Sequence, residues 1–382
     1  MRRSSNIRWP LLALAFSLLW LAACSTPSEP NSELRSQALS FQPPEVVADG
    51  LANPRGVAVT PDGAVLVAEA GTGGEGPCFE GPEGEETCFG TSGGLTRIDR
   101  RGVARIVDGL PSLASPSGED ALGPHDVSVL GNGTTYLTTG LGADPAIRDG
   151  SELADAGLGM LWRVKQARSE VTPVADVAAW EGTENPDDGE ADSNPYGVLA
   201  VPSAQIVVDA GGNSLVRVSA AGTVETLAVF PSTMVPAPPF LELPPGAMIP
   251  MQAVPTSVAE GPDGAFYVGL LTGFPFPVGA ASVMRVVPGE SPSVFATGFT
   301  NVIDVAFGPD GHLYVLEIAT NGLLSGDPAG ALKRVVGGAI EEVPGTEGTL
   351  FMPGGMAFDA SGNLYVSNLS VTPAGTVIRF EP

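Results

Sequence analysis

Residues 53–71 read NPRGVAVTPDGAVLVAEAG, and the fold follows from this stretch. Two runs rich in Val, Ala and Leu flank Pro61-Asp62-Gly63. Proline presets φ at the first turn position, aspartate caps the turn, and glycine tolerates positive φ. A strand, a tight turn and a second strand make a hairpin. The unit returns as TSVAEGPDGAFYVGLLTG from Thr256, VIDVAFGPDGHLYVLEIAT from Val302 and GGMAFDASGNLYVSNLS from Gly354. Weaker copies start at His125 (HDVSVLGNGTTYLTTG) and Tyr196 (YGVLAVPSAQIVVDAGG), which makes six.

Six hairpins need a common architecture, and the two ends of the sequence supply it. Residues 45–51, EVVADGL, resemble the segments ARIVDGL (104–110) and VFATGF (294–299), each of which closes a repeat as its fourth strand. The last repeat stops at a third strand near Val377–Phe380. EVVADGL is the strand it lacks. The expected fold is therefore all-β, a six-bladed β-propeller in which the N-terminal strand completes the last blade and leaves no exposed edge. A β-sandwich accounts for neither the six hairpins nor the complementary ends. No segment carries a long 3.6-residue apolar period, and the best short-helix candidate is residues 151–157.

The expected boundaries are 1–23 leader, 24–44 tether and 45–382 propeller. Arg2, Arg3 and Arg8 precede an apolar run over residues 9–21, too short to span a bilayer and suited to a signal peptide. It ends in Leu21-Ala22-Ala23-Cys24, which resembles the lipobox of bacterial lipoproteins. That resemblance implies cleavage before Cys24 and lipidation of Cys24. The expected location is extracytoplasmic, anchored to a bacterial membrane through the lipid. Ser25 after the cysteine favours the outer membrane if the cell is Gram-negative. Residues 25–42 are polar and proline-bearing and read as the tether. Cys78 and Cys88 remain, in one glutamate-rich loop of an exported chain, where a disulfide is the natural assignment.

The net charge of −25 becomes about −28 beyond the leader (15 basic against 43 acidic residues). Such a surface repels nucleic acid, which is excluded as a partner, and favours cations. There is no GxSxG elbow, phosphate loop or basic aromatic patch.

In a propeller, connections from second to third strands and from fourth to first strands emerge on one face. The long segments here, 71–93, 140–159, 182–194, 230–254, 273–281 and 321–330, are all of those types. A small molecule or an envelope protein is expected to bind at this looped face. The first strands begin mostly with Pro-X, which brings Arg55, His125 and Tyr196 to one level from three consecutive blades. Asp126 and Asp304 stand one position further on. Second strands end at Glu69, Asp209 and Glu317. Arg55, Glu69, His125, Asp126, Tyr196, Asp209, Asp304 and Glu317 are therefore the candidate ligand-binding residues, with Arg55 expected among carboxylates. A cation, an imidazole and a phenol beside acids also suit acid–base work, so Arg55, His125 and Tyr196 are the catalytic candidates of a second reading, a hydrolase or lyase sited in the channel. Ca²⁺ is chemically compatible with the carboxylates, Asp126 and Asp304 above all. His312, the other histidine, follows a turn on the far face. Residues 184–194, ENPDDGEADSN, lack EF-hand spacing and read as a solvated loop.

The segments NPRGVAV, AEAGTGG, GPHDV, ENPD…DSNPYGV, VVDAGGNSLVRV and GTVETLAVFP, with the Cys78/Cys88 loop, resemble the ScyD/ScyE family. These are exported bacterial propellers of the NHL-like kind, named from the scytonemin gene cluster of cyanobacteria. The resemblance covers nearly all of the chain after the tether. It implies a propeller and an extracytoplasmic location, and no particular reaction. Lactonase-type six-bladed propellers hold a metal with acids and amides at the first-strand starts, where this chain has Arg, His, Tyr, Thr, Ile and Gly.

Overall fold

The computed structural model describes residues 39–80, 84 and 86–382. The leader and Cys24 lie outside the described residues.

Six antiparallel sheets follow one another along the chain, each beginning with one of the six hairpins. In the first blade Pro54–Val59, Val65–Glu69, Glu86–Asp99 and Gly102–Ala114 pair in order, with Cys78–Glu80 added beside Glu86–Asp99. The first strands of blades two to six are Pro124–Val129, Pro195–Val201, Pro255–Glu260, Val302–Phe307 and Gly355–Phe358. The turn read from the sequence is present. Gly63 has φ +80°, its amide donates to Thr60 O (2.9 Å), and the Thr60 hydroxyl donates to Asp62 Oδ1 (2.5 Å).

Ring closure is as expected. Glu45–Leu51 pairs antiparallel with Gly375–Phe380, setting Val46 opposite Ile378 and Leu51 opposite Gly375. Arg379 and Glu45 add an ion pair at 2.7 Å. The tether reading reaches too far, however. Leu39 and Phe41 are buried, and Phe41 packs on Phe380 with ring centroids 5.8 Å apart. The Phe41 amide donates to Pro344 O (2.9 Å) and Arg334 Nη1 donates to Leu39 O (2.9 Å). These apolar side chains strap the fifth and sixth blades together.

The core is divided among the blade interfaces. Strand side chains alternate between two faces, and each middle strand is apolar on both. Leu66 and Ala68 pack with Val127, Leu137 and Val164 of the second blade. Val65 and Val67, on the other face, pack with Ala48, Leu51 and Val377 of the sixth. Equivalent clusters fill the other four interfaces.

Two local differences from the sequence reading bear on function. Residues 151–157 form turns, and the α-helix lies instead at Val177–Glu184, after the fourth strand of blade two. Its eight residues are too few to show a clear apolar period. Cys78 and Cys88 are disulfide-bonded, as expected, and sit opposite each other in the added hairpin.

Leu51 tests the closure. Leu51→Ala should lower the unfolding free energy by about 2–5 kcal/mol in urea melts, as for other buried leucines. A change below about 0.5 kcal/mol would mean that the N-terminal strand is not part of the cooperative unit.

Candidate ligand site in the central channel

The first strands surround the axis so closely that backbone meets backbone. Two residues beyond the start of each Pro-X pair (Val302-Ile303 in blade five) stand, in blade order, Gly56, Asp126, Gly197, Ser257, Asp304 and Gly355. A Cβ on Gly56 would fall 2.0 Å from Asp126 Oδ1, and one on Gly197 would fall 2.7 Å from Thr256 O. Glycine is what the spacing allows. The aspartates bridge adjacent blades. Asp126 accepts from Val127 N and, across the interface, from Val198 N (both 2.8 Å). Asp304 accepts from Val305 N (2.8 Å) and Met356 N (2.7 Å). The same Asp-to-next-blade clamp thus recurs three blades apart, which gives the axis an approximate twofold character. Burial holds Asp304 up at about 7. Asp126 is also raised, by burial first and then by the charge of Asp304.

Arg55, His125 and Tyr196 meet at the looped end of this axis. The His125 and Tyr196 rings stack with centroids 4.5 Å apart and planes 33° apart. His125 is 1% exposed, and neither ring nitrogen has a partner in hydrogen-bonding geometry. Burial, then the charge of Arg55, push its pKa down to about 3, so the imidazole is neutral at physiological pH. Among the described residues the Tyr196 hydroxyl has no partner in strict hydrogen-bonding geometry, and burial raises its pKa against the charge and the nearby guanidinium N–H groups of Arg55. Arg55 is 7% exposed. Its Nη2 donates to Ala121 O (2.9 Å), while its Nε has no acceptor. Arg55 does not sit among ion-pairing carboxylates as expected: among the described residues none lies within 4.0 Å of its guanidinium. A main-chain carbonyl takes that place, because Asp126 is drawn away to the Val198 amide.

The second-strand ends are at the same level but serve their own blades. Glu69 accepts from Ala52 N (2.8 Å), from Arg105 (3.2 Å) and from the Thr96 hydroxyl. Asp209 accepts from Asn194 N and Ser193 Oγ (both 2.6 Å), and burial raises it to about 6. Glu317 accepts from Thr300 N (2.8 Å) and pairs with Lys333 (3.1 Å). Asn368 repeats the device with Phe351 N (2.7 Å). In each case the side chain satisfies an amide of the connection that leads into the first strand. Glu69, Asp209 and Glu317 are therefore engaged by their own blades and do not pair with Arg55. Two wall elements escaped the sequence reading. One is the Ala121 carbonyl. The other is Gly140, where a Cβ would stand 2.2 Å from His125 Cε1 and 2.4 Å from Asn194 Oδ1. A glycine ending the second strand of blade two was the available signal.

No protein-family model matches the chain, and no curated protein matches it. Solved structures do. One is a protein of unknown function from Bacteroides thetaiotaomicron, 11% identical, over 90% of this chain and 70% of that one (TM-score 0.54). Another is an auxiliary nutrient binding protein from the same organism, 7% identical over 90% and 76% (TM-score 0.50). Virginiamycin B lyase from Staphylococcus aureus is 13% identical over 87% and 95% (TM-score 0.46). Similarity at these identities establishes the fold alone, and the chain is a six-bladed β-propeller.

Asp304 should leave a pH signature. Its folded pKa, about 7, lies above its ordinary value of 3.8, so its ionisation opposes folding. The penalty is absent below about pH 4, grows as the pH rises, and is complete above about 7. Asp304→Asn removes the titration at the constant cost of one lost acceptor. Relative to wild type, the variant should gain up to about 1.4 kcal/mol per pH unit across that window in urea melts. A pH-independent difference would show that Asp304 ionises normally.

Proposed function

We propose that this protein is an exported, lipid-anchored propeller that binds a small carboxylate-bearing molecule at the looped end of its channel. The observation that carries this reading is Arg55, a buried guanidinium with no carboxylate partner among the described residues. A buried charge is costly unless paired, and a planar guanidinium matches a carboxylate in bidentate geometry. Beside it, the neutral imidazole of His125 and the phenol of Tyr196 have polar atoms that meet no partner in strict hydrogen-bonding geometry among the described residues. Burial keeps Asp304 partly protonated near neutral pH, which softens the negative field a ligand carboxylate would meet. The leader ending in Cys24 supports the anchor, and the ScyD/ScyE likeness supports an extracytoplasmic propeller of that kind. The solved neighbour titled a nutrient binding protein is compatible with such a role.

A hydrolase or lyase draws less support. An imidazole with a pKa near 3 is a weak general base. Ca²⁺ in the channel also draws less support, since every carboxylate oxygen of Asp126 and Asp304 already accepts a main-chain amide.

A protein partner at the rim has a specific feature in its favour. The hairpin Thr233–Pro236/Met248–Met251 and its loop carry exposed Met234, Phe240 and Leu243. Phe240 stands 6.1 Å from exposed Phe274 of the next blade. Exposed aromatic groups of this sort are common at protein interfaces.

Thermal-shift screening against a panel of small carboxylic acids tests the channel reading. At least one compound should stabilise the wild type by several degrees and lose its effect with Arg55→Met and with Tyr196→Phe. A panel without effect, or hits that survive Arg55→Met, would sink it. For the rim, pull-down from membranes should recover a protein that is lost when residues 237–247 are replaced by a short turn. Recovery unchanged by that replacement rules the hairpin out.

A further inference from the structure

The connection between blades two and three holds a second polar cluster, separate from the channel. The helix Val177–Glu184 is capped by Asp176, which accepts from Ala179 N (2.8 Å). Its inward face presents Val177, Ala178 and then Glu181, all 0% exposed. A glutamate in that stripe stands where desolvation is most costly. Its carboxylate lies against Gly212, where a Cβ would fall 2.6 Å from Glu181 Oε2. The carboxylate of Asp192 lies against the adjacent Gly211, where a Cβ would fall 2.8 Å from Asp192 Oδ1. Gly211 and Gly212 form the turn between the second and third strands of blade three, and their bare backbone is what lets both acids approach. Asp209 and Asp187 flank the same turn, through Gly212 N (3.2 Å) and Asn213 Nδ2 (3.1 Å). Among the described residues, no Lys or Arg pairs with any of the four acids.

The four differ in what they are doing. Both oxygens of Asp209 accept hydrogen bonds, as do both of Asp187. Among the described residues neither oxygen of Glu181 has a partner, and Asp192 Oδ1 and Asn185 Oδ1 have none either. A fully buried carboxylate with no donor, among three further acids, has two stable conditions. It is protonated, or a cation neutralises it.

We propose that Glu181 and Asp192 are the carboxylate ligands of a Ca²⁺ site seated on the Gly211–Gly212 turn. Hard oxygen donors in an irregular loop suit Ca²⁺, which takes six to eight oxygens in flexible geometry. Among the described residues no trio of carboxylates here is close enough to share an ion. Amide oxygen, main-chain carbonyls and water complete the shell. The ion fixes residues 184–194 to blade three. That segment leads through Asn194 and Pro195 directly into Tyr196, so occupancy of the site steadies one wall of the channel. The solvated-loop reading of ENPDDGEADSN holds for its exposed acids and fails for Asp192, whose carboxylate packs against Gly211.

Tb³⁺ is the probe, because Trp180 adjoins Glu181 in the chain and can sensitise its emission. Chelator-treated protein should give saturable Tb³⁺ luminescence on tryptophan excitation, displaced by Ca²⁺. Glu181→Gln and Asp192→Asn should each weaken it at least tenfold, and Glu290→Gln, on an exposed turn, should not. Ca²⁺ should raise the melting temperature of the wild type by several degrees and leave Glu181→Gln unmoved. In chelator Glu181→Gln should melt at or above the wild type, since a neutral amide replaces a buried acid. That last measurement separates a lost ion from a lost fold. The proposal is overturned if the wild type shows neither response, or if Glu181→Gln and Asp192→Asn retain both.

Discussion

A four-stranded sheet that is apolar on both faces cannot be stable alone. Burial of both faces is the constraint on which this structure depends. Val65 and Val67 need one neighbour while Leu66 and Ala68 need another. A linear stack would leave a greasy face at each end, so the stack closes into a ring. Closure then demands that the last blade be as complete as the rest, and the N-terminal strand meets that demand against Gly375–Phe380. Leu39 and Phe41 extend the same logic outward, covering the fifth and sixth blades with side chains that would otherwise be exposed.

Closing six sheets around one axis crowds their first strands, and the crowding has chemical consequences. Where two strands nearly touch, a side chain is excluded or must be one that bonds the neighbour's backbone. Gly56, Gly197 and Gly355 are the first solution, and Asp126 and Asp304 are the second. Packing thereby brings carboxylates into a low-dielectric axis, raises their pKa values and draws them away from Arg55. A guanidinium with no carboxylate partner among the described residues is thus a by-product of how the ring is stitched. A ligand carboxylate would occupy a position that the fold has cleared of its own acids.

The ring was legible in the sequence because its causes are local and repeated. A Pro-Asp-Gly turn, an alternating apolar strand and a fourth strand displaced to the N-terminus each leave a mark in a few residues. The meeting of Arg55, His125 and Tyr196 was legible for the same reason, since equivalent positions of consecutive blades must lie side by side. What the acids do was not. Glu69 and Asp126 look alike as acids at strand ends, yet one caps the connection of its own blade and the other clamps the next. That choice is set by which backbone amides lack partners, and no periodicity records it. The helix at Val177–Glu184 was missed for a related reason: its inward stripe is broken by Glu181, so the apolar pattern that announces a helix is absent.

The acidity of the chain then takes on a structural meaning. Glu69, Asp126, Asp209, Asp304 and Glu317 all spend oxygens on main-chain amides at strand starts. A propeller has many such amides, because each connection into a first strand leaves donors outside the sheet ladder, and buried donors need acceptors. Short acids reach them from the neighbouring strand without adding bulk. Much of the negative charge is thus a means of building the ring, independent of any partner. Glu181 departs from that usage: it is buried like the others but bonds no amide. A carboxylate that neither builds the scaffold nor faces water is best explained by something it holds.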